Sequence, residues 1–221
     1  MFVGHYGVSF AAKRIDRSIP LWVLFLAVQL LDVVWAPLIL LGVEKVRIVP
    51  GLTATNPLDL YYMPYTHSLV AALVWSVVGA LAYQLLAHPA STRSSIIVGA
   101  AVFSHWVLDF IVHTRDLPLY DNHAKVGLGL WNAPMFALAL ESLLLLGGIW
   151  WCFRENLSRA KGTFVFGVLM VALQTYIFFG PPPASDKAFA WTAIAGYVVL
   201  ALVIWWLQDR HPSEARSATT P

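Results

Sequence analysis

Long apolar runs alternate with short polar connectors along most of the chain. About 20 residues of helix cross a hydrocarbon core, and six runs are long enough to do so: Leu21 to about Val43, Pro64 to Leu86, Ser95 to His113, Leu128 to Phe153, Gly162 to Gly180 and Phe189 to Leu207. The pattern predicts an all-α, polytopic transmembrane helical bundle of about six spans plus a short N-terminal helix or half-helix. Residues 1–208 read as a single transmembrane domain with no internal repeat. Residues 209–221 read as a polar, disordered tail.

The segment Met1 to Ala12 is apolar, too short to span, and followed by Lys13, Arg14 and Arg17. Two placements fit it. It can insert as a half-helix whose small residues Gly4, Gly7, Ser9, Ala11 and Ala12 permit close packing, or it can lie on the surface as an amphipathic helix.

Composition narrows the chemistry. The 221 residues are 59% hydrophobic and 12% charged, against roughly a quarter charged in a soluble domain. The solvent for most of the surface is therefore lipid. The net charge of +2 gives no argument for a nucleic-acid partner, and the single cysteine excludes both an internal disulfide and a thiolate-rich metal site. Lys and Arg set the expected orientation. With a cytoplasmic N-terminus, nine fall on the inner side (Lys13, Arg14, Arg17, Arg93, Arg154, Arg159, Lys161, Arg210, Arg216) and five outside (Lys45, Arg47, Arg115, Lys125, Lys187). Both termini are then cytoplasmic. Trp35, Trp131, Trp150, Trp151, Trp205 and Trp206 fall near span ends, where an aromatic belt belongs.

Ionisable groups inside spans are costly and point to function. The chain has His5, Asp32, His67, His105, Asp109 and Glu141, with His113 closing the third span. At about 1.5 Å per residue, Asp32, His105 and Asp109 rise roughly 17, 15 and 21 Å above the inner ends of their spans. His67 lies about 5 Å below the outer end, and an inserted His5 about 13 Å above Arg14. The levels overlap in the middle and outer half of the bilayer. His105, Asp109 and His113 recur every four residues, so one helix face presents all three. Imidazole and carboxylate so spaced are a usual metal-ligand pattern. A hydrogen-bonded pair or a proton relay fits the same residues.

Thr66 and Ser68 flank His67 either as partners that orient its ring or as caps of the helix starting there. Glu141 has no cation in its own span and requires one from elsewhere, or water, or a proton. His88, His123 and His211 lie at a span end, in a loop and in the tail, and are set aside. Lys125, Trp131 and Asn132, in the stretch from Val126 to Asn132 and just before it, stand at the mouth of the fourth span as an interfacial anchor or a substrate contact.

The ordered motifs Gly4-His5, Leu30-Leu31-Asp32, Thr66-His67-Ser68 and Ser104-His105-Trp-Val-Leu-Asp109 resemble those of the membrane-bound metal-dependent hydrolase family, the YdjM-like proteins of bacterial inner membranes. The resemblance covers about half the chain, roughly residues 4 to 113. The ligand order is also similar to that of the all-helical zinc-dependent phospholipases C. The family often shows Pro-Asp-x-Asp where this chain has only Asp32, and His-Arg-Gly where Tyr-Met-Pro-Tyr precedes Thr66. The resemblance implies a bacterial inner-membrane hydrolase of phosphoester type.

The expected site follows. His5, Asp32, His67, His105 and Asp109 bind one or two divalent metals, and ligation by N and O without sulfur suits Zn²⁺, Mn²⁺ or Fe²⁺. Asp109 is the candidate bridging ligand. Asp109 and Glu141 are the candidate catalytic groups, Glu141 as a further ligand or general base. His113, Ser68 and Asn132 are candidate additional ligands or substrate contacts. A lipid or other amphiphile suits an outer-half site in the bilayer. The other classes are an ion or small-solute transporter using the same cluster and an assembly protein glued by it.

Overall fold

The computed structural model describes residues 1–87 and 90–210. It is an all-helical bundle of eight α-helices with one small hairpin: α1 (Val3–Ile15), α2 (Leu21–Val28), α3 (Leu30–Leu40), β1 (Lys45–Ile48), β2 (Leu58–Tyr62), α4 (Leu69–Leu86), α5 (Thr92–Val112), α6 (Pro134–Phe153), α7 (Leu157–Phe179) and α8 (Asp186–Ile204). Among the described residues five helices are long and apolar enough to cross a membrane, and six if the bent pair α2–α3 counts as one span. The polytopic bundle expected from the apolar runs is the fold observed. Serine side chains cap α4, α5 and α8: Ser68, Ser91 and Ser185 accept from the amides of Ala71, Ser94 and Ala188.

The N-terminal segment is inserted, not laid on the surface. Val3, His5, Tyr6, Ser9 and Phe10 of α1 are buried, and α1 packs against α6, α2 and α5. Its small residues make this possible. A Cβ on Gly7 would stand 2.2 Å from the Leu144 carbonyl oxygen, and one on Gly148 would stand 2.5 Å from that of Gly7. The two backbones touch. Arg14 in its last turn and Arg17 just beyond it both pair with Glu155 at the α6–α7 turn.

The first span is not one helix. It breaks at Gln29, which leaves helical geometry at φ −108° and ψ 8°, and α2 and α3 meet at a bend of 54°. The continuous apolar run gives no warning of this. The second span also starts later than expected: the helix begins at Leu69, so His67 sits in the turn ahead of it. The fourth starts at Pro134, after a short 3₁₀ turn over Leu130–Asn132.

The hairpin was not foreseen in an all-α reading. Its strands pair antiparallel, with Arg47 opposite Asp59 and Ile48 opposite Leu58. Arg47 and Asp59 form an ion pair, and the Arg47 guanidinium lies 4.6 Å over the Tyr61 ring. The connecting loop folds back on the bundle, where the Thr55 hydroxyl donates to the Trp131 carbonyl at 3.0 Å.

Two further expectations change. Trp35 and Trp131 are buried, at 3% and 7% exposure, while Trp150, Trp151, Trp205 and Trp206 are exposed as a belt requires. Asp209 is not tail: its carboxylate accepts from the amides of Leu21 and Trp22 at 3.2 and 3.1 Å and caps α2. The tail expected to be disordered lies, from residue 211 on, outside the described residues.

The Gly7–Gly148 contact yields a paired prediction. Gly148→Leu, which drives a side chain into the α1 backbone, is expected to destabilise by about 1–3 kcal/mol. Gly147→Leu, one position along and with nothing within 4 Å of its Cβ, is expected to stay within about 0.5 kcal/mol. Thermal unfolding in detergent measures both, and equal shifts would remove the close-packing account.

Candidate metal centre

Within the bundle the structure brings together His5 from α1, Asp32 from the first turn of α3, His67 from the turn before α4, and His105 and Asp109 from α5. Two groups have ligand atoms all within 4.8 Å of one another: His5, His105 and Asp109, and Asp32, His67 and His105. All five sequence-predicted ligands belong to one or other group. His5, His67, His105 and Asp109 are buried, and Asp32 is nearly so.

The local fold explains how each is held. The break at Gln29 turns α3 so that Asp32 faces the other helices, and it frees the Val28 carbonyl from the helix ladder. That carbonyl accepts the Nδ1–H of His105 at 2.7 Å. His67 donates through Nδ1 to the Thr66 hydroxyl at 2.7 Å. The hydroxyl in turn donates to Glu44 Oε2 at 2.6 Å, and Glu44 Oε1 also takes the amides of Tyr65 and Thr66. Burial pushes the Glu44 carboxyl above its ordinary range, and the Thr66 hydroxyl, His67 and the two amides oppose that rise. His113 donates through Nδ1 to Asp116 Oδ1 at 3.0 Å.

Tying Nδ1–H outward leaves Nε2 as the lone-pair nitrogen of a neutral imidazole. In each of these three histidines Nε2 turns inward. His67 Nε2 lies 3.2 Å from Asp32 Oδ1. His105 Nε2 lies 3.1 Å from Asp109 Oδ2 and 3.8 Å from Asp32 Oδ1. His113 Nε2 lies 3.6 Å from Asp109 Oδ2. His5 joins from the other side, its Nε2 3.2 Å from Asp109 Oδ1 and its ring stacked on His105 with centroids 4.0 Å apart.

Lone pairs facing carboxylate oxygens repel unless a proton or a cation lies between them. Some positive charge is present: the Met1 amino nitrogen lies 2.6 Å from Asp109 Oδ1. Yet His5 Nε2 and His105 Nε2, though close to carboxylates, make no hydrogen bond, and neither does His5 Nδ1. Buried nitrogens of this kind are rare and require an explanation. A set of imidazole nitrogens and carboxylate oxygens without sulfur fits a divalent transition metal. Cys152, half-buried near the end of α6, is not part of it.

The remaining candidates divide. Glu141 is adjacent but is engaged in holding α1: its Oε2 accepts from the amides of Phe2 and Gly4 at 2.9 and 3.2 Å, and its Oε1 from the Gln174 amide at 3.2 Å. Ser68 is a cap, donating to the Pro64 carbonyl and accepting from Ala71, so Thr66 is the residue that orients His67. Asn132 is exposed and is not among the residues lining the cavity beside the centre. Lys125 reaches the Tyr61 carbonyl at 2.9 Å instead. His113 joins the centre and packs against Trp131 with ring centroids 4.3 Å apart. His123 pairs with Asp121 at the surface. His88 and His211 lie outside the described residues.

Sequence reasoning missed Glu44, Asp116 and Tyr197. Tyr197 of α8 donates to Asp32 Oδ2 at 2.9 Å. The first two are acidic residues in connectors beside a histidine-bearing segment, a weak signal; a tyrosine inside an apolar span gives none.

The centre opens into a cavity of about 650 Å³. Asp32, His67, Asp109, His113, Glu141 and Tyr197 line one end, the hairpin loop 50–58 covers it, and α7, α8 and the loop 180–184 form the other walls.

Glu141→Leu leaves the amides of Phe2 and Gly4 without an acceptor, each at a cost of about 1–3 kcal/mol. Glu141→Gln keeps an acceptor oxygen. We expect Glu141→Leu to lower the unfolding midpoint well below that of Glu141→Gln, and to make a cysteine placed at buried Ser9 reactive toward a maleimide. If both variants match the wild type in both measurements, Glu141 does not anchor α1.

No protein-family model matches this chain, and no curated protein or solved structure matches it either.

Proposed function

We propose that the protein is an integral-membrane, metal-dependent hydrolase acting on a lipid-like substrate, with a phosphoester as the bond implied by its motifs. The observation that carries the reading is the convergence of four inward-facing histidine Nε2 atoms on Asp32 and Asp109, three of them fixed by outward Nδ1–H bonds. This is the arrangement by which outer partners fix the tautomer and orientation of metal-ligating histidines. His5, Asp32, His67, His105 and Asp109 hold the metal, Zn²⁺ by preference with Mn²⁺ or Fe²⁺ as alternatives. Such an ion supplies a Lewis acid and lowers the pKa of water at its open position.

The protein's own groups do the rest. His113, its Nδ1–H held by Asp116, presents Nε2 to the cavity and serves to take or return a proton. Glu141, with its oxygens occupied by α1 and Gln174, positions α1 and thereby His5. Tyr197 orients Asp32. The apolar walls exclude water from the bond that reacts. Hydrolysis itself rests on the resemblance of the His, Asp, Thr-His-Ser and Ser-His-x-x-x-Asp motifs to the membrane-bound metal-dependent hydrolases. The same resemblance supports a bacterial inner membrane as the location, and the Lys and Arg distribution supports both termini being cytoplasmic, with the hairpin and cavity mouth then facing outward.

Purified wild-type protein is expected to carry about one to two divalent ions per chain, with His105→Ala and Asp109→Ala reduced to trace amounts. Element analysis of the three preparations decides: the same trace content in all of them ends the metal reading. Thr66→Val, which cuts the link between His67 and Glu44, is expected to weaken metal affinity about 10–100-fold. Titration against a competing chelator measures this, and unchanged affinity would show that the Glu44–Thr66–His67 chain does not serve the metal.

A further inference from the structure

We infer that the cavity receives the acyl chain of a bilayer lipid sideways, between α7 and α8, so that the chain lies at membrane depth and the lipid's polar linkage meets the Asp32 end. This rests on the reading of that end as the reactive centre.

Consecutive helices of a bundle normally pack on each other, and α4 and α5 do. In contrast, α7 packs against α6, while α8 packs against α3 and α2. The two diverge, and the cavity occupies the space between them. Leu173, Tyr176 and Ile177 of α7 line it while remaining 42%, 63% and 46% exposed. A wall that is both cavity lining and outer surface opens to the side, and outside a spanning helix the medium is lipid acyl chain. The loop 180–184, containing Pro181, Pro182 and Pro183, crosses the outer end of the space and also lines it.

The lining chemistry agrees. Among the described residues that line the cavity there is no Lys and no Arg, and the Met1 ammonium, which does line it, is buried and paired with Asp109, so no exposed side-chain cation meets a soluble anion there. Toward the bundle's middle the α8 wall becomes small, with Ala193 and Gly196 facing the space. A Cβ on Gly196 would meet nothing within 4 Å. Gly196 lies ten residues into α8, roughly 15 Å below the helix start, which is half the depth of a hydrocarbon core of about 30 Å. Its neighbour Tyr197 bonds Asp32, so the apolar track leads directly to a residue of the centre. The cavity falls within the range of about 300–1,000 Å³ usual for a single small-molecule site.

The test uses the full chain in vesicles of phosphatidylethanolamine and phosphatidylglycerol carrying a trace of phosphatidylcholine with a diazirine on its acyl chain. After irradiation, adducts are mapped by mass spectrometry. We expect them to concentrate on residues 173–177 and 193–197, and to fall several-fold in Gly196→Trp and in Ala193→Phe. Gly147→Trp, on an open lipid-facing stretch of α6, should leave them unchanged. Melting curves confirm that the compared variants are folded. Adducts spread evenly over the exposed faces of α4 and α6, and insensitive to both cavity-filling variants, overturn the inference, as does labelling only by a water-soluble diazirine probe through the hairpin side. His105→Ala separates the two readings. Loss of metal with retained acyl labelling supports the lipid track independently of the metal, whereas metal present with no cavity labelling refutes the track and leaves the metal centre standing.

Discussion

Carboxylates buried in an apolar bundle dominate this structure, because an uncompensated charge in a low-dielectric interior costs more than any other single feature. Asp32, Asp109 and Glu141 line one cavity. The irregular features of the fold lie around them. The first helix points its N-terminus at Glu141, which takes two of the amides that a helix start leaves unpaired. The first span breaks at Gln29 and gives its freed carbonyl to His105. A tyrosine in the last span turns its hydroxyl to Asp32. Each departure from a straight apolar helix satisfies a polar group that the centre requires.

The histidines show the same economy. Three of them tie Nδ1–H to acceptors in three different segments: the end of α2, the Glu44–Thr66 link across the hairpin, and Asp116 after α5. The centre is therefore held from outside by connectors as well as helices. This gives the hairpin a role that its small size conceals. Glu44 stands directly before β1 and anchors the turn that carries His67, while Thr55 in the hairpin loop bonds the Trp131 carbonyl beside His113.

Much of this was legible in the sequence, for a physical reason. Lipid as solvent demands long apolar runs, so spans announce themselves, and polar residues inside them stand out because they cost so much. His5, Asp32, His67, His105 and Asp109 were all found that way. The same logic hid the rest. Hydropathy averages over a window, so it cannot register the break at Gln29 or the late start of α4, where Pro64 and Tyr65 fall within the apolar run while forming a turn. Trp35 and Trp131 were assigned to the interface because they stand near span ends, but Trp35 packs edge-on against His67 and Trp131 against His113. Glu141 stood out because it had no cation in its own span; its partners are the backbone amides of Phe2 and Gly4, which carry no sequence signal, and the side chain of Gln174 on another helix. Asn132 was named for its place at the mouth of the fourth span, and it stands exposed at the end of the 3₁₀ turn.

The stereochemistry of His105 also limits how many ions the centre can hold. It belongs to both ligand groups, but its Nδ1–H is committed to Val28, so it offers one nitrogen and can serve one ion. Two complete and independent three-residue sites are therefore excluded. A second ion requires a ligand that reaches both positions, and Asp109 has the geometry: its Oδ1 faces His5, while its Oδ2 faces His105, His113 and, at 3.9 Å, His67. Were a single ion held by one group of three, either His5 or His67 would be left without it, and the carboxylate beside that ring would need a proton for balance. Were two ions held, Asp109 is the residue whose two oxygens could serve both ligand groups. Replacing Asp109 thus removes more than one ligand's worth of the centre, whereas replacing His5 or His67 removes only one side of it.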